Sequence, residues 1–104
     1  MKSMPLGSPR LRADDGSMNV VGERVRLRRK DLKIKQKDLL GKLAYVTEGK
    51  WNPTEQEVLR VEHGTRTVTD TEVLALALAL DCEPQGLLLG NPSGPIRFQK
   101  PTSP

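Results

Sequence analysis

The stretch Thr69-Asp-Thr-Glu-Val-Leu-Ala-Leu-Ala-Leu-Ala-Leu80 constrains the fold of this chain more than any other. By alternation alone, Leu-Ala-Leu-Ala is a strand pattern. Leu and Ala are strong helix formers, however, and Thr69 is followed three residues on by Glu72. That pair is a capping box, in which each side chain satisfies the other residue's backbone N–H at a helix start. The length, the alanines and the cap together predict a helix. Val73, Leu74, Leu76, Ala77, Leu78 and Leu80 leave it apolar nearly all round, so it is expected to be the central, most buried element.

The partners of that helix should be helices as well. Aromatic residues make up 3% of the 104 and apolar residues 36%, so the core must come from Leu, Val, Ile and Ala. A sandwich or barrel would draw on more β-branched and aromatic side chains. The length suits one domain, expected over residues 18–90. A first helix is predicted from Val20 to Leu32, capped by Asn19, with Val21, Val25 and Leu32 inward. A second runs from Gln36 to Ala44 with Leu39, Leu40 and Leu43 inward. Thr54 caps a third through His63, with Val58 and Val61 inward and Gly64 as its stop. The capped apolar run is the fourth. Glu83 and Pro84 open a short fifth through Leu87, Leu88 and Leu89, closed by Gly90. Residues 1–17 and 91–104, rich in Pro, Gly and Ser and without helical period, are expected to be disordered tails.

Charge is unevenly distributed. From Met18 to Lys37, Arg24, Arg26, Arg28, Arg29, Lys30, Lys33, Lys35 and Lys37 stand against Glu23 and Asp31, a balance of +6. From Trp51 to Gly90 the balance is −5. A basic face of this kind suits a phosphate backbone, or is simply a solvated helix surface. The single Cys82 excludes an internal disulfide and, with the single His63, an ordinary zinc site; no metal or cofactor is expected. Cys82 reads as a small buried hydrophobe, and His63 as a helix-end residue favoured by the dipole. The chain carries no apolar run of membrane-spanning length and no secretory signal, so a cytoplasmic, nucleoid-associated protein is expected. No nucleophile–base pair, paired acids or Gly-rich phosphate loop points to an enzyme.

Four segments carry a resemblance. They are Gly22-Glu-Arg-Val-Arg-Leu-Arg-Arg29, Ile34-Lys-Gln-Lys-Asp-Leu-Leu40, Val58-Leu-Arg-Val-Glu-His-Gly64 and the run from Val68 to Leu80. In this order they resemble the phage-repressor-like (Cro/cI-type) helix-turn-helix family of bacterial and phage regulators, over about two-thirds of the chain. The resemblance implies an all-α, five-helix lambda-repressor-like domain that binds double-stranded DNA, with the third helix in the major groove. Such a protein would be a sequence-specific regulator, a repressor, acting as a homodimer through helix 5 with Leu87, Leu88 and Leu89 at the contact.

Residue chemistry and resemblance together suggest the site. At the exposed start of helix 3, Gln56 suits adenine, Arg60 guanine, and Glu55 can accept from cytosine N4. Glu55 and Glu57 are equally explained as acids favoured by the helix macrodipole, and they oppose a polyanion. Gln36 opens helix 2, where an amide and free backbone N–H groups attract phosphate; the resemblance makes it the phosphate anchor. Lys35, Lys37, Thr54, Lys50, Thr65 and Arg66 complete the expected phosphate contacts, although Thr65 and Arg66 could equally be solvated. The resemblance also implies a structural ion pair between Arg29 and Glu62.

One departure from the family stands out. Relatives join helices 2 and 3 by a turn of about four residues, whereas here Tyr45-Val-Thr-Glu-Gly-Lys-Trp-Asn-Pro53 intervenes as an enlarged loop. Tyr45 and Trp51 are expected to pack on the core and hold it. Alternatively Lys50 and Trp51 form a wing against DNA or a regulatory protein partner. With the acids of helix 3, this loop motivates a second reading: a protein-interaction adaptor on the same fold with weak or no DNA binding.

Overall fold

The computed structural model describes residues 11–90 and contains five helices among them: α1 (Gly22–Asp31), α2 (Gln36–Val46), α3 (Glu55–His63), α4 (Asp70–Ala79) and α5 (Pro84–Leu89). Their starts follow from local chemistry. Thr54 Oγ1 accepts from the Glu57 N–H at 3.1 Å, while Glu57 Oε1 accepts from the Thr54 N–H at 3.0 Å. Thr69 and Glu72 repeat the device at α4, at 3.3 and 3.1 Å. The reciprocal bonds satisfy N–H groups that a helix start leaves orphaned. α2 has half of the arrangement, Asp38 accepting from the Lys35 N–H at 2.8 Å. Pro84 occupies the first turn of α5, where a missing N–H costs nothing.

Asn19 does more than cap. Its Oδ1 accepts from the N–H groups of Val21 and Gly22 at 3.1 and 2.7 Å. Its Nδ2 donates to the carbonyls of Val61 and Arg66 at 3.1 and 2.8 Å, tying the start of α1 to the end of α3. The two helices come so close that a Cβ on Gly22 would collide with the Val61 carbonyl. Gly64 ends α3 in the left-handed region at φ 75°, which only glycine adopts without penalty. Its carbonyl accepts from the Met18 N–H at 2.7 Å. Ahead of that contact, residues 12–17 form a hydrogen-bonded turn, with Ser17 N–H held by Asp15 at 2.9 Å, where an unstructured arm was expected. Residues 1–10 and the tail 91–104 lie outside the described residues.

The core is Val21 and Val25 of the α1 region, Leu39 and Leu43 of α2, Val58 and Val61 of α3, Val73, Leu76 and Leu80 of the α4 region, and Leu87 of α5. Burying each such side chain contributes on the order of 1.5–3 kcal/mol. Several expectations are corrected here. Leu32 lies at the exposed edge of α1 instead of facing inward, whereas Leu40 is half-buried and packs against the core as expected. α4 is apolar all round but not buried all round: Ala75, Ala77 and Ala79 face inward, while Leu74 and Leu78 are 53% and 67% exposed. The helical period puts Val73, Leu76, Ala77 and Leu80 on the inner face and leaves Leu74 and Leu78 on the opposite side. Leu87 is buried, so of the three α5 leucines only Leu88 and Leu89 are available to a partner.

The segment between α2 and α3 also differs from expectation. α2 continues through Val46, so the connection is residues 47–54. Tyr45, on the last turn of α2, is 84% exposed and is not packed on the core formed by the described residues. The connection is held by Thr47, whose Oγ1 donates to the Leu43 carbonyl at 2.8 Å and accepts from the Trp51 N–H at 3.0 Å. Glu48 and Gly49 turn the chain at positive φ, and Trp51 rests against the core as expected.

Candidate nucleic-acid interface

On α3, Val58, Val61 and Glu62 face inward. The helical period then sends Gln56, Arg60 and His63, at i, i+4 and i+7, to one outer face, and all three are exposed. Glu55 is exposed beside them. Residues 47–54 do not cover Gln56 or Arg60. The two acids at this tip have different explanations. Glu57 is the reciprocal member of the α3 capping box, so its charge is in local use. Glu55 has no partner among the described residues and faces solvent.

Beneath this surface, Arg29 and Glu62 form a bidentate pair at 2.8 and 3.1 Å. Glu62 is 1% exposed in its side chain, so an unpaired carboxylate there would be costly. Arg29 also donates to the Ile34 carbonyl at 3.0 Å, which fixes the turn between α1 and α2. The third donor to Glu62 is Gln36 Nε2, at 3.1 Å from Oε1. One N–H of the Gln36 amide is therefore turned toward α3, leaving its second N–H and its oxygen for any contact outside. Sequence reasoning saw Gln36 and the ion pair as separate features; the structure joins them in one network linking α1, α2 and α3.

The basic α1 is not a free cationic face. Arg24 Nη1 donates to the carbonyls of Leu87 and Leu88 at 2.9 and 3.2 Å. Arg28 donates to those of Leu80 and Asp81 at 2.9 and 2.8 Å. Each arginine thus caps the C-terminal end of another helix, where orphaned carbonyls and the negative end of the dipole attract a cation. Arg26 pairs with Glu23 at 3.0 Å, a surface contact of little net value. Sequence reasoning missed these roles. The only signal was the i, i+4 spacing of Arg24 and Arg28, which places both on one face of α1. The cations left exposed and without a hydrogen-bonded partner among the described residues are Lys30, Lys33, Lys35, Lys37, Lys42, Lys50 and Arg60.

The remaining expected phosphate contacts fall into two groups. Lys35 and Lys37 flank Gln36 at the exposed start of α2, and Lys50 is exposed in the α2–α3 connection. Thr54 and Thr65 are exposed; the Thr54 hydroxyl already caps α3. Arg66 is engaged inside the protein. Its Nη1 and Nη2 meet Glu72 Oε1 and Oε2 at 2.9 and 3.1 Å, and Glu57 lies 3.7 Å away. The guanidinium also sits 5.9 Å from the centre of the Trp51 ring, within cation–π range. Hydrogen bonding from Arg66, and then from the Thr69 N–H, holds the Glu72 carboxyl below the usual carboxylate range against the opposing effect of burial. Cys82 is half-buried against the core, and burial pushes its thiol up, which suits the packing role expected of it. No helix among the described residues is long and apolar enough to cross a membrane.

Five short helices, with α3 and α4 opened by capping boxes and α3 presenting polar side chains outward, have the architecture of a helix-turn-helix DNA-binding domain. No family model and no curated protein matches the chain. A solved structure does: the restriction-modification controller protein C.AhdI from Aeromonas hydrophila is 31% identical, with a TM-score of 0.52, over 67% of this chain and 94% of that one. The chain belongs to the phage-repressor-like, Cro/cI-type helix-turn-helix family of DNA-binding regulators.

Proposed function

We propose that the chain is a sequence-specific transcriptional repressor that reads the major groove with α3. The observation that carries this reading is the exposed, uncovered pair Gln56 and Arg60, one turn apart on the outer face of α3. An amide and a guanidinium in that position match the donor and acceptor edges of adenine and guanine. Glu55, exposed beside them, is the third candidate base contact. Lys35, Gln36 and Lys37 at the start of α2 would hold one phosphate strand, with Thr54, Thr65 and Lys50 adding contacts around α3. A protein seated over a promoter in this way excludes polymerase. The likeness to a restriction-modification controller supports a role in controlling gene expression.

In this reading two copies associate so that two α3 helices meet successive grooves. Leu88 and Leu89 on α5, each 42% exposed, and Leu74 and Leu78 on α4 are exposed apolar side chains that a second copy would cover. Fluorescence anisotropy with the duplex most enriched by the chain from a random-sequence pool tests the proposal. Tight, salt-sensitive binding is expected, weakened by about 1–3 kcal/mol in Gln56→Ala or Arg60→Ala. Absence of any enriched duplex at low salt would refute it.

The second reading, a protein-interaction adaptor on the same fold, draws on the exposure of Tyr45 and Lys50 around the α2–α3 connection and on the free Glu55. Gln36→Ala combined with Arg60→Ala separates the two. Regulation in cells that survives this change, with no DNA binding in vitro, favours the adaptor.

A further inference from the structure

Arg66 stands where three parts of the domain meet. Its guanidinium takes both oxygens of Glu72, the carboxylate that reciprocally caps α4. The same Nη2 that bonds Glu72 Oε2 lies 3.7 Å from Glu57 Oε2, of the carboxylate that reciprocally caps α3. Trp51 of the α2–α3 connection faces the guanidinium at 5.9 Å. A further donation to the Thr67 carbonyl at 3.0 Å fixes its plane, and its own backbone carbonyl accepts from Asn19 at 2.8 Å. One planar cation thus joins two helix N-termini and the connection between α2 and α3, and its side chain is only 23% exposed. Without it, two capping carboxylates would face each other across the gap. A lysine could neutralise them but could not span both Glu72 oxygens and lie flat toward the indole.

We propose that Arg66 is a positioning residue for sequence discrimination, and that it acts through Glu57, Glu72 and Trp51 instead of through a phosphate contact. Gln56 lies on the first turn of α3, next to Glu57. The angle at which that turn leaves the domain is set by the Glu57 cap and by what the cap leans on. Arg66 fixes that angle relative to α4 and to the connection, so its effect appears in the choice between DNA sequences and not in the attraction to DNA as such. This inference rests on the reading that α3 meets base edges.

The test compares the full chain with Arg66→Lys and Arg66→Gln. The probes are the duplex most enriched by the unaltered chain from a random-sequence pool and a scrambled duplex of equal composition. Binding is followed by anisotropy over a salt series, and amide hydrogen exchange of the first turn of α3 is followed without DNA. Both variants are expected to lose about tenfold in preference for the enriched duplex, the size of one lost base contact. Their dependence of binding on salt should match the unaltered chain, and the Glu57 amide should exchange faster. A phosphate contact would give the reverse pattern. Arg66→Gln would lower the salt slope by about 0.9 on both duplexes, Arg66→Lys would restore it, and the preference ratio would hold. That pattern overturns the proposal, as does an unchanged preference ratio in both variants. If Arg66→Gln fails to fold, Arg66→Lys, which keeps the charge, decides alone. An unaltered chain that enriches no duplex removes the DNA-reading function itself, and the proposal with it, an outcome distinct from failure of the Arg66 variants.

Discussion

Arg24 and Leu87 are 63 positions apart in sequence, yet the Arg24 guanidinium donates to the Leu87 carbonyl at 2.9 Å. The same Nη1 also reaches the Leu88 carbonyl and the Val20 carbonyl of its own segment. α5 has six residues, too few to be stable as a helix on its own. Arg24 therefore adds to the burial of Leu87 in holding the end of α5 in place.

Arg24→Ala should accordingly destabilise the domain by about 1.5–3 kcal/mol, the range for hydrogen bonds involving a charged group. In a domain of this size that lowers the melting temperature by roughly 4–8 °C per kcal/mol, measurable by circular dichroism. The salt slope of DNA binding should be unchanged, because this arginine faces α5. A reduced slope with an unchanged melting temperature would place Arg24 on phosphate instead.

The contrast between Arg24 and Thr54 explains how much of the fold could be read in the sequence. Thr54 with Glu57, Thr69 with Glu72, Gly64 and Pro84 are local signals, completed within three or four residues, and each marks its helix end where the structure has it. The helix-end carbonyls that Arg24 and Arg28 cap lie more than fifty residues away and are brought near by tertiary packing, so beyond the i, i+4 spacing of the two arginines nothing local announces them. The result was a basic α1 that looked like a phosphate-binding face. α4 is the most buried helix, as its composition suggested, but a Leu-Ala alternation contains no polar residue to say which side faces solvent, so the exposure of Leu74 and Leu78 was not legible. On α3 the period of Val58 and Val61 was enough to place Gln56 and Arg60 outside. The end of α2 was placed two residues early because Tyr45 to Pro53 reads as one polar, irregular loop, whereas Tyr45 and Val46 complete the helix and Thr47, at its C-terminal cap, bonds back to the Leu43 carbonyl.

The Arg29–Glu62 pair leads to a stability prediction in which the double change is milder than the single one. Arg29→Met strands a buried carboxylate with only Gln36 as donor, at a cost of about 3–5 kcal/mol. Adding Glu62→Leu removes the stranded charge, and the urea midpoint should recover a substantial part of the loss. Equal midpoints for the single and double variants would mean that water already solvates Glu62 when Arg29 is gone.

The leucines of α4 and α5 separate packing from association. Leu87→Ala, in the core, is expected to cost about 2–5 kcal/mol of stability. Leu78→Glu and Leu88→Glu, on the exposed surface, should leave the melting temperature of dilute protein nearly unchanged. If two copies meet through this face, sedimentation velocity will report a shift from dimer to monomer in both surface variants. A dimer that persists in both would move the interface elsewhere on the molecule.

Glu72 makes the stability of the domain depend on pH in a predictable direction. Its carboxyl is held below the ordinary range, first by hydrogen bonding from Arg66 and next by the Thr69 N–H. A group with a lowered folded pKa favours the folded state while it is ionised. Its contribution is therefore complete above the unfolded value, about 4.3 for Glu, and disappears as pH falls through the lower folded value. Asp15 is shifted the same way by the Ser17 N–H, so the unaltered chain alone cannot isolate Glu72. The difference between the unaltered chain and Glu72→Gln can, because Asp15 is common to both. Urea unfolding at a series of pH values should show Glu72→Gln less stable at neutral pH, by a margin that stays constant down to the ordinary Glu range and closes below it. A margin that widened as pH fell would mean that protonated Glu72 is the better partner for Arg66, contrary to the bidentate geometry.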